Sequence, residues 1–230
     1  IDNNIANNGI RSAIVGGYLN DIADADYAFV GGGNDNNILA GANYASIGGG
    51  SANVINTASL YSTIGNGRDN AIGASSEYAA VLGGYSNSIS GGFSSIVGGS
   101  DNTINGLGSF VGGGETNSIT GDHGTVGGGR TNRITNSAQF STIAGGLNNT
   151  VSASYGTASG NSNTISTTGT YGVSLGNANN VSATYGVALG NTNNVTGSQG
   201  VAIGYNNTAA ADAMALGNNA TAPANEFHAK

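Results

Sequence analysis

An eight-residue unit recurs fourteen times along this 230-residue chain, and the repeat constrains the fold more than any other feature. The unit reads aromatic, small, variable, then Ile, Val or Ala, variable, Gly, Gly or Asn, and variable. Its copies start at positions 11, 27, 44, 61, 78, 93, 108, 123, 140, 155, 171, 185, 199 and 212, at spacings of 13 to 17 residues. A second signal, Asn followed closely by Ile or Val, comes after most copies. A period of this length predicts a solenoid, in which stacked turns bury one shared core.

Glycine and asparagine supply the corners that such a solenoid needs. The chain has 42 Gly and 34 Asn but one Pro, which excludes a collagen helix. Recurrent Gly would also break an α-helix, and the apolar residues show no helical spacing. Each turn is therefore predicted to contain two short β-branched strands, closed by corners at which Gly or Asn adopts positive φ. The predicted fold is an all-β parallel solenoid of about 14 turns.

The fourth position of the unit is the predicted core column. It holds Ile or Val from Ile14 to Ile143 and becomes small from residue 155 onward, as at Ala188. Large apolar residues then flank it, as Val187 and Leu189 do. Successive strand residues point to opposite faces, so either the buried face changes parity or both faces are buried. The second alternative requires a partner surface and predicts an oligomer.

Four motifs near the end of the chain carry a family resemblance. They are Gly172–Asn177, Gly186–Asn191, Gly200–Tyr205 and Ala213–Asn218, 13 to 14 residues apart. This segment, residues 171–222, resembles the repeats of trimeric autotransporter adhesin heads of the YadA-like type. The resemblance implies a left-handed parallel β-roll, three such rolls packed as a homotrimer, and a bacterial outer surface. Residues 1–222 are then the head, and residues 223–230, which open with Pro223, begin a neck or the next module.

Charge and composition exclude several function classes. The formal net charge is −7 and the chain has no Cys. An acidic chain without a basic footprint is not expected to bind nucleic acid. The absence of Cys removes thiolate metal sites, and no run of apolar residues is long enough for direct membrane insertion by this segment. We expect neither a cofactor nor a metal.

Catalytic signals are weak, and we predict that the protein is not an enzyme. His123 stands beside Asp122 and near several Ser, a combination that can belong to a hydrolytic triad. However, His123 occupies the first position of its unit, which is usually aromatic, and a place in that row is the simpler interpretation. An alternative is that His123, Arg130 and Arg133 form a small surface for anions or acidic sugars.

The first position of the unit forms the second candidate site, an aromatic ladder. Side chains at one position of successive turns lie about 4.8 Å apart, a spacing at which rings stack. A structural stripe at a corner or subunit boundary would have largely buried rings, whereas a platform for sugars or a host protein would be exposed. The ladder residues are Tyr27, Tyr44, Tyr61, Tyr78, Phe93, Phe140, Tyr155, Tyr171 and Tyr185.

The resemblance implies an adhesive function. It predicts the head of a bacterial surface trimeric autotransporter that binds extracellular matrix protein, host cells or abiotic surfaces. Such a head is attached to the outer membrane through parts outside this segment. One alternative is a receptor-binding or spacer segment of a phage tail fibre, since those fibres contain similar heads. Another is an ice- or mineral-binding solenoid, which would need a flat, regular Thr array.

Overall fold

The computed structural model describes residues 2–6 and 9–230, which fold as an all-β parallel solenoid of about 15 turns without a helix in those ranges. Each turn contributes one strand to sheet A, made of the odd-numbered strands, and one to sheet B, made of the even-numbered strands. The chain divides into two compact units, residues 1–116 and 117–230. The predicted all-β parallel solenoid is thus confirmed, with about one turn more than expected.

The first unit consists almost entirely of two-residue strands. Sheet A contains β1 (Asn4–Ala6), β3 (Asp21–Ala23), β5 (Asn37–Ile38), β7 (Val54–Ile55), β9 (Ala71–Ile72), β11 (Ser88–Ile89) and β13 (Thr103–Ile104). Sheet B contains β2 (Ala13–Ile14), β4 (Phe29–Val30), β6 (Ser46–Ile47), β8 (Thr63–Ile64), β10 (Ala80–Val81), β12 (Ser95–Ile96) and β14 (Phe110–Val111). Neighbouring strands pair in register, so that equivalent residues such as Ile47 and Ile64 lie side by side.

The second unit has longer strands in sheet B. Sheet A contains β15 (Ser118–Ile119), β17 (Arg133–Ile134), β19 (Thr150–Val151), β21 (Thr164–Ile165), β23 (Asn180–Val181), β25 (Asn194–Val195), β27 (Thr208–Ala209) and β29 (Thr221–Ala222). Sheet B contains β16 (Thr125–Val126), β18 (Thr142–Leu147), β20 (Thr157–Asn161), β22 (Val173–Asn177), β24 (Val187–Asn191), β26 (Val201–Tyr205), β28 (Met214–Asn218) and β30 (Phe227–Ala229). β30 pairs with β28, so sheet B extends past the head boundary predicted at residue 222.

Two facing apolar columns form the core of each turn. In the first unit, Ile38 and Ile55 of sheet A and Ile47 and Ile64 of sheet B are fully buried. The predicted fourth-position column is therefore confirmed, although Ile14 is only half-buried. Burying one such side chain contributes about 1.5–3 kcal/mol, and this gain recurs at every turn.

The core becomes narrower in the second unit without changing parity. Sheet B there buries Ala188 and Ala202 in place of Ile, while the flanking Val187 and Leu189 remain on the outer face. The alternative in which the buried face changes parity is therefore wrong. The turns are shorter here, and the interior is correspondingly tight: a Cβ added at Gly186 would lie within 3 Å of Val methyl groups. Small inward residues fit this reduced space.

A ladder of buried asparagines is the third internal column. The Asn53 side-chain nitrogen donates to Asn36 Oδ1 at 2.9 Å and to the carbonyls of Gly49 and Gly67 at 3.0 and 2.9 Å. Asn53 Oδ1 accepts from the backbone and side-chain nitrogens of Asn70 at 3.1 and 3.0 Å. The ladder residues are Asn20, Asn36, Asn53, Asn70, Asn87, Asn102, Asn117, Asn132, Asn149, Asn163, Asn179, Asn193 and Asn207, all at most 1% exposed.

This asparagine ladder corrects one prediction. The repeated Asn was expected at corners with positive φ, but the residue before it usually has that conformation instead, as Asp35 (φ 58°) does before Asn36. The asparagine then enters the core, where its amide satisfies carbonyls that face inward at the corner. Among the described residues, no buried side-chain nitrogen or oxygen lacks a hydrogen-bond partner.

Candidate functional site

The rings of the aromatic ladder stack on one another within each unit. In the first unit the ring centroids of Tyr27, Tyr44, Tyr61, Tyr78 and Phe93 are 4.8 to 5.1 Å apart in succession. In the second unit the row runs through His123, Phe140, Tyr155, Tyr171 and Tyr185, at 4.8 to 5.4 Å. His123 thus has the ring position expected from its place in the unit, stacked on Phe140.

Each ladder residue has a left-handed backbone, with φ between 56° and 60°. This conformation is costly for a residue with a Cβ and persists only where surrounding structure imposes it. Here the corner before each sheet B strand imposes it, and the corner directs the ring away from the core. The ladder residues are consequently 40% (Tyr27) to 67% (Phe93) exposed in the single chain. The platform alternative requires this exposure, and a structural stripe at a corner or subunit boundary stays a prediction.

The stacking determines which part of each ring a ligand can reach. Ring faces inside the row are covered by neighbouring rings, and the Arg11 guanidinium lies 5.4 Å from the Tyr27 ring centroid while donating to its hydroxyl. The ladder therefore presents ring edges and tyrosine hydroxyls to solvent. A sugar that packs on a ring face has little free face available within the row.

The three residues of the predicted anion surface lie in different parts of the turn. His123 precedes β16 of sheet B, Arg130 lies in the connection after β16, and Arg133 belongs to β17 of sheet A. Among residues 2–6 and 9–230, no ion pair involves any of the three. A role in anion binding stays a prediction.

The outer face of sheet B in the second unit carries two columns of apolar residues, which we name the apolar face. In-register pairing aligns Val187 with Val201 and Leu189 with Ile203. Leu175, Met214 and Leu216 are 37 to 39% exposed, and the remaining members are half-buried. The apolar face consists of Val173, Leu175, Val187, Leu189, Val201, Ile203, Met214 and Leu216.

A groove of about 460 Å³ lies at one end of the apolar face. Its lining includes Gln199, Asp212 and Asn225, which hold the ladder position in turns without a ring, and the outward Met214 and Phe227. The groove is thus the space that rings fill in other turns.

The surface of the second unit also carries an exposed row of polar side chains. Residues 134–211 contain no charged side chain. Asn161 donates to Asn177 at 2.7 Å and Asn177 donates to Asn191 at 3.0 Å, which gives an exposed row of amides. This surface is suited to neutral hydrogen bonding along several turns.

No protein-family model matches the chain, and no curated protein matches it. In the described part of the chain there is no cluster of three potential metal-ligating side chains, and no helix has the length and apolar character to cross a membrane.

Proposed function

We propose that this chain is the adhesive head of a trimeric surface protein of a bacterium, built from three left-handed solenoids packed side by side. The observation that carries the proposal is the apolar face. Its two columns continue over four turns of sheet B, on the side opposite to the buried core. Monomeric soluble proteins rarely expose a contiguous apolar surface of this kind, so it points to a protein–protein contact.

The energetics of the apolar face favour a permanent assembly. Completing the burial of a half-exposed Val or Leu contributes on the order of 1 kcal/mol, so the eight residues contribute on the order of 8 kcal/mol per chain. Association costs about 4–15 kcal/mol in lost freedom of motion. The two quantities are comparable, and packing along further turns would add to the gain.

Adhesion follows in this proposal from the surfaces that the assembly leaves free. The exposed amide row and the tyrosine hydroxyls recur in several successive turns and would recur again on each subunit. Many weak contacts then act together, so binding to matrix proteins, host cells or abiotic surfaces needs no deep pocket. The outward positions of sheet B lack the uninterrupted Thr array that ice binding requires, because Phe29, Ala80 and Phe110 interrupt it.

Light scattering of the purified chain tests the assembly. We expect a trimeric mass. We expect Val187→Asp/Leu189→Asp to shift the protein toward monomer, because it adds two negative charges per chain and so six to the contacts of a trimer. The matched control is Thr164→Asp/Thr221→Asp, which adds the same charge to exposed positions of sheet A. A monomeric parent protein, or equal effects of the two variants, would contradict the assembly.

Adhesion itself is tested with the assembled protein on immobilised collagen, fibronectin, a glycan array and polystyrene. We expect binding to at least one of these surfaces that falls when the chain is made monomeric. A trimer that binds none of them would indicate a spacer segment, as in a fibre, and would overturn the adhesive function.

A further inference from the structure

We propose that the tyrosine ladder is a site of oxidative cross-linking, where hydrogen peroxide and a haem peroxidase join adjacent tyrosines of one chain into dityrosine. Each unit contains one uninterrupted run of tyrosines within the ladder. The runs are Tyr27, Tyr44, Tyr61 and Tyr78 in the first unit, and Tyr155, Tyr171 and Tyr185 in the second. The proposal uses contacts within a single chain and does not depend on the adhesive function.

The geometry of the runs favours coupling between neighbours. Adjacent tyrosine rings have centroids 4.8 to 5.0 Å apart and planes within 5° to 9° of parallel. In such an in-register stack, equivalent ortho carbons of neighbouring phenols lie about 5 Å apart. Two tyrosines held as neighbours couple without a diffusional encounter, which raises their effective concentration.

The tyrosines of the runs are also accessible to an oxidant. They are 40 to 54% exposed in the single chain. Phe93 ends the first run and Phe140 precedes the second, and a phenyl ring has no phenolic hydrogen to lose. Coupling is therefore confined to pairs inside the two runs.

The chemistry balances with peroxide as the oxidant. Each of two phenols loses one electron and one proton to give a phenoxyl radical. The radicals form one carbon–carbon bond between ortho carbons, and the two displaced ring hydrogens move to oxygen and restore the phenols. Hydrogen peroxide takes up the two electrons and two protons and is reduced to two water molecules. Because the ortho carbons start about 5 Å apart, the two rings must leave their parallel stack for the bond to form.

The product is a covalent link between successive turns. In the run from Tyr155 to Tyr185 such a bond joins residues one turn apart, which the structure holds together only by hydrogen bonds and packing. Cross-linked turns cannot separate when their strands unpair. The oxidised chain would therefore resist stepwise unwinding of the solenoid.

The test is treatment of the full chain with hydrogen peroxide and horseradish peroxidase, followed by dityrosine fluorescence, gel electrophoresis and peptide mapping. Tyr44→Phe/Tyr78→Phe/Tyr171→Phe keeps every ring but leaves no two tyrosines adjacent. Its matched control, Tyr18→Phe/Tyr85→Phe/Tyr205→Phe, removes three tyrosines that are 42 to 51% exposed and lie outside the ladder.

We expect intrachain dityrosine in the parent protein, at monomer size on a denaturing gel, with two hydrogen atoms lost per bond. The yield of intrachain dityrosine should fall about tenfold in the ladder variant and stay within about twofold of the parent yield in the control variant. Only the ladder variant loses its preorganised tyrosine pairs. Equal losses in both variants, coupling mapped to tyrosines outside the runs, exclusively interchain products, or no coupling in the runs would overturn the proposal.

Discussion

Because each amide of the asparagine ladder makes several buried hydrogen bonds, we expect the loss of a single amide to lower the free energy of unfolding substantially. Asn53→Ala removes a side chain that is fully buried. Its two N–H groups each contribute about 0.5–1.5 kcal/mol net, and the backbone N–H of Asn70 loses its acceptor inside the core, at about 1–3 kcal/mol. The free energy of unfolding should therefore fall by about 4 kcal/mol.

Thermal unfolding followed by circular dichroism measures this loss, at one protein concentration so that any assembly contributes equally. A loss of about 4 kcal/mol corresponds to a melting temperature lower by about 8–16 °C for a chain of this size. Asn53→Asp keeps the shape but removes the donors that face Gly49 and Gly67, so it should be at least as destabilising. The control is Asn34→Ala at an exposed position, which should change stability by less than about 0.5 kcal/mol.

Similar losses for Asn53→Ala and Asn34→Ala would refute the reasoning. They would mean that the ladder amides contribute no more than solvent does, and that the apolar columns alone hold the turns in register. Hydrogen exchange adds a second readout, because local opening at a damaged turn should raise exchange at Val54 and Ile55 before the rest of the unit.

Two further predictions concern the corners. Tyr61→Ala removes ring stacking on both sides, at centroid distances of 4.8 and 5.0 Å, and should lower the free energy of unfolding by about 1–3 kcal/mol in chemical denaturation. Tyr61→Phe keeps both stacked contacts and should leave this free energy unchanged. Equal stabilities of the two variants would show that stacking does not stabilise the fold. Gly99→Ala should prevent or severely impair folding, because φ is +90° and the new Cβ would overlap the carbonyl of Gly114. The control is Gly98→Ala, whose new Cβ has no atom within 4 Å, so this variant should be expressed and should melt as the parent protein does.

The solenoid could be predicted because its determinants repeat. One position that holds Ile or Val in turn after turn has a single physical explanation, a buried column, and the structure places Ile47 and Ile64 there. The ring ladder followed for the same reason, since equivalent positions of stacked turns must be neighbours. The exposure of the rings could not be predicted. In a sequence, only Gly or Asn indicates a left-handed backbone, and Tyr44, which has that backbone and a ring turned outward, is neither.

The role of asparagine was ambiguous in the sequence for a different reason. Asn tolerates positive φ, and its amide also satisfies inward carbonyls, and both uses give the same spacing. The distinguishing signal lies one residue earlier: Asp35, Asp69 and Asp101 precede ladder asparagines and take the corner conformation themselves. The direction of Val187 and Leu189 was likewise open, because Ala188 between them fits a narrow interior as well as a surface.

In-register pairing has a consequence for how such a chain can change over generations. Asn53, Val54 and Ile55 lie beside Asn70, Ala71 and Ile72, 17 residues further along. Loss of residues 54–70 by unequal recombination would join Asn53 directly to Ala71 and leave every remaining column aligned, whereas loss of part of a turn would displace all of them. Gene length can therefore drift in steps of one whole turn, and variants that differ in reach by such steps inherit the same core, the same corners and the same edges.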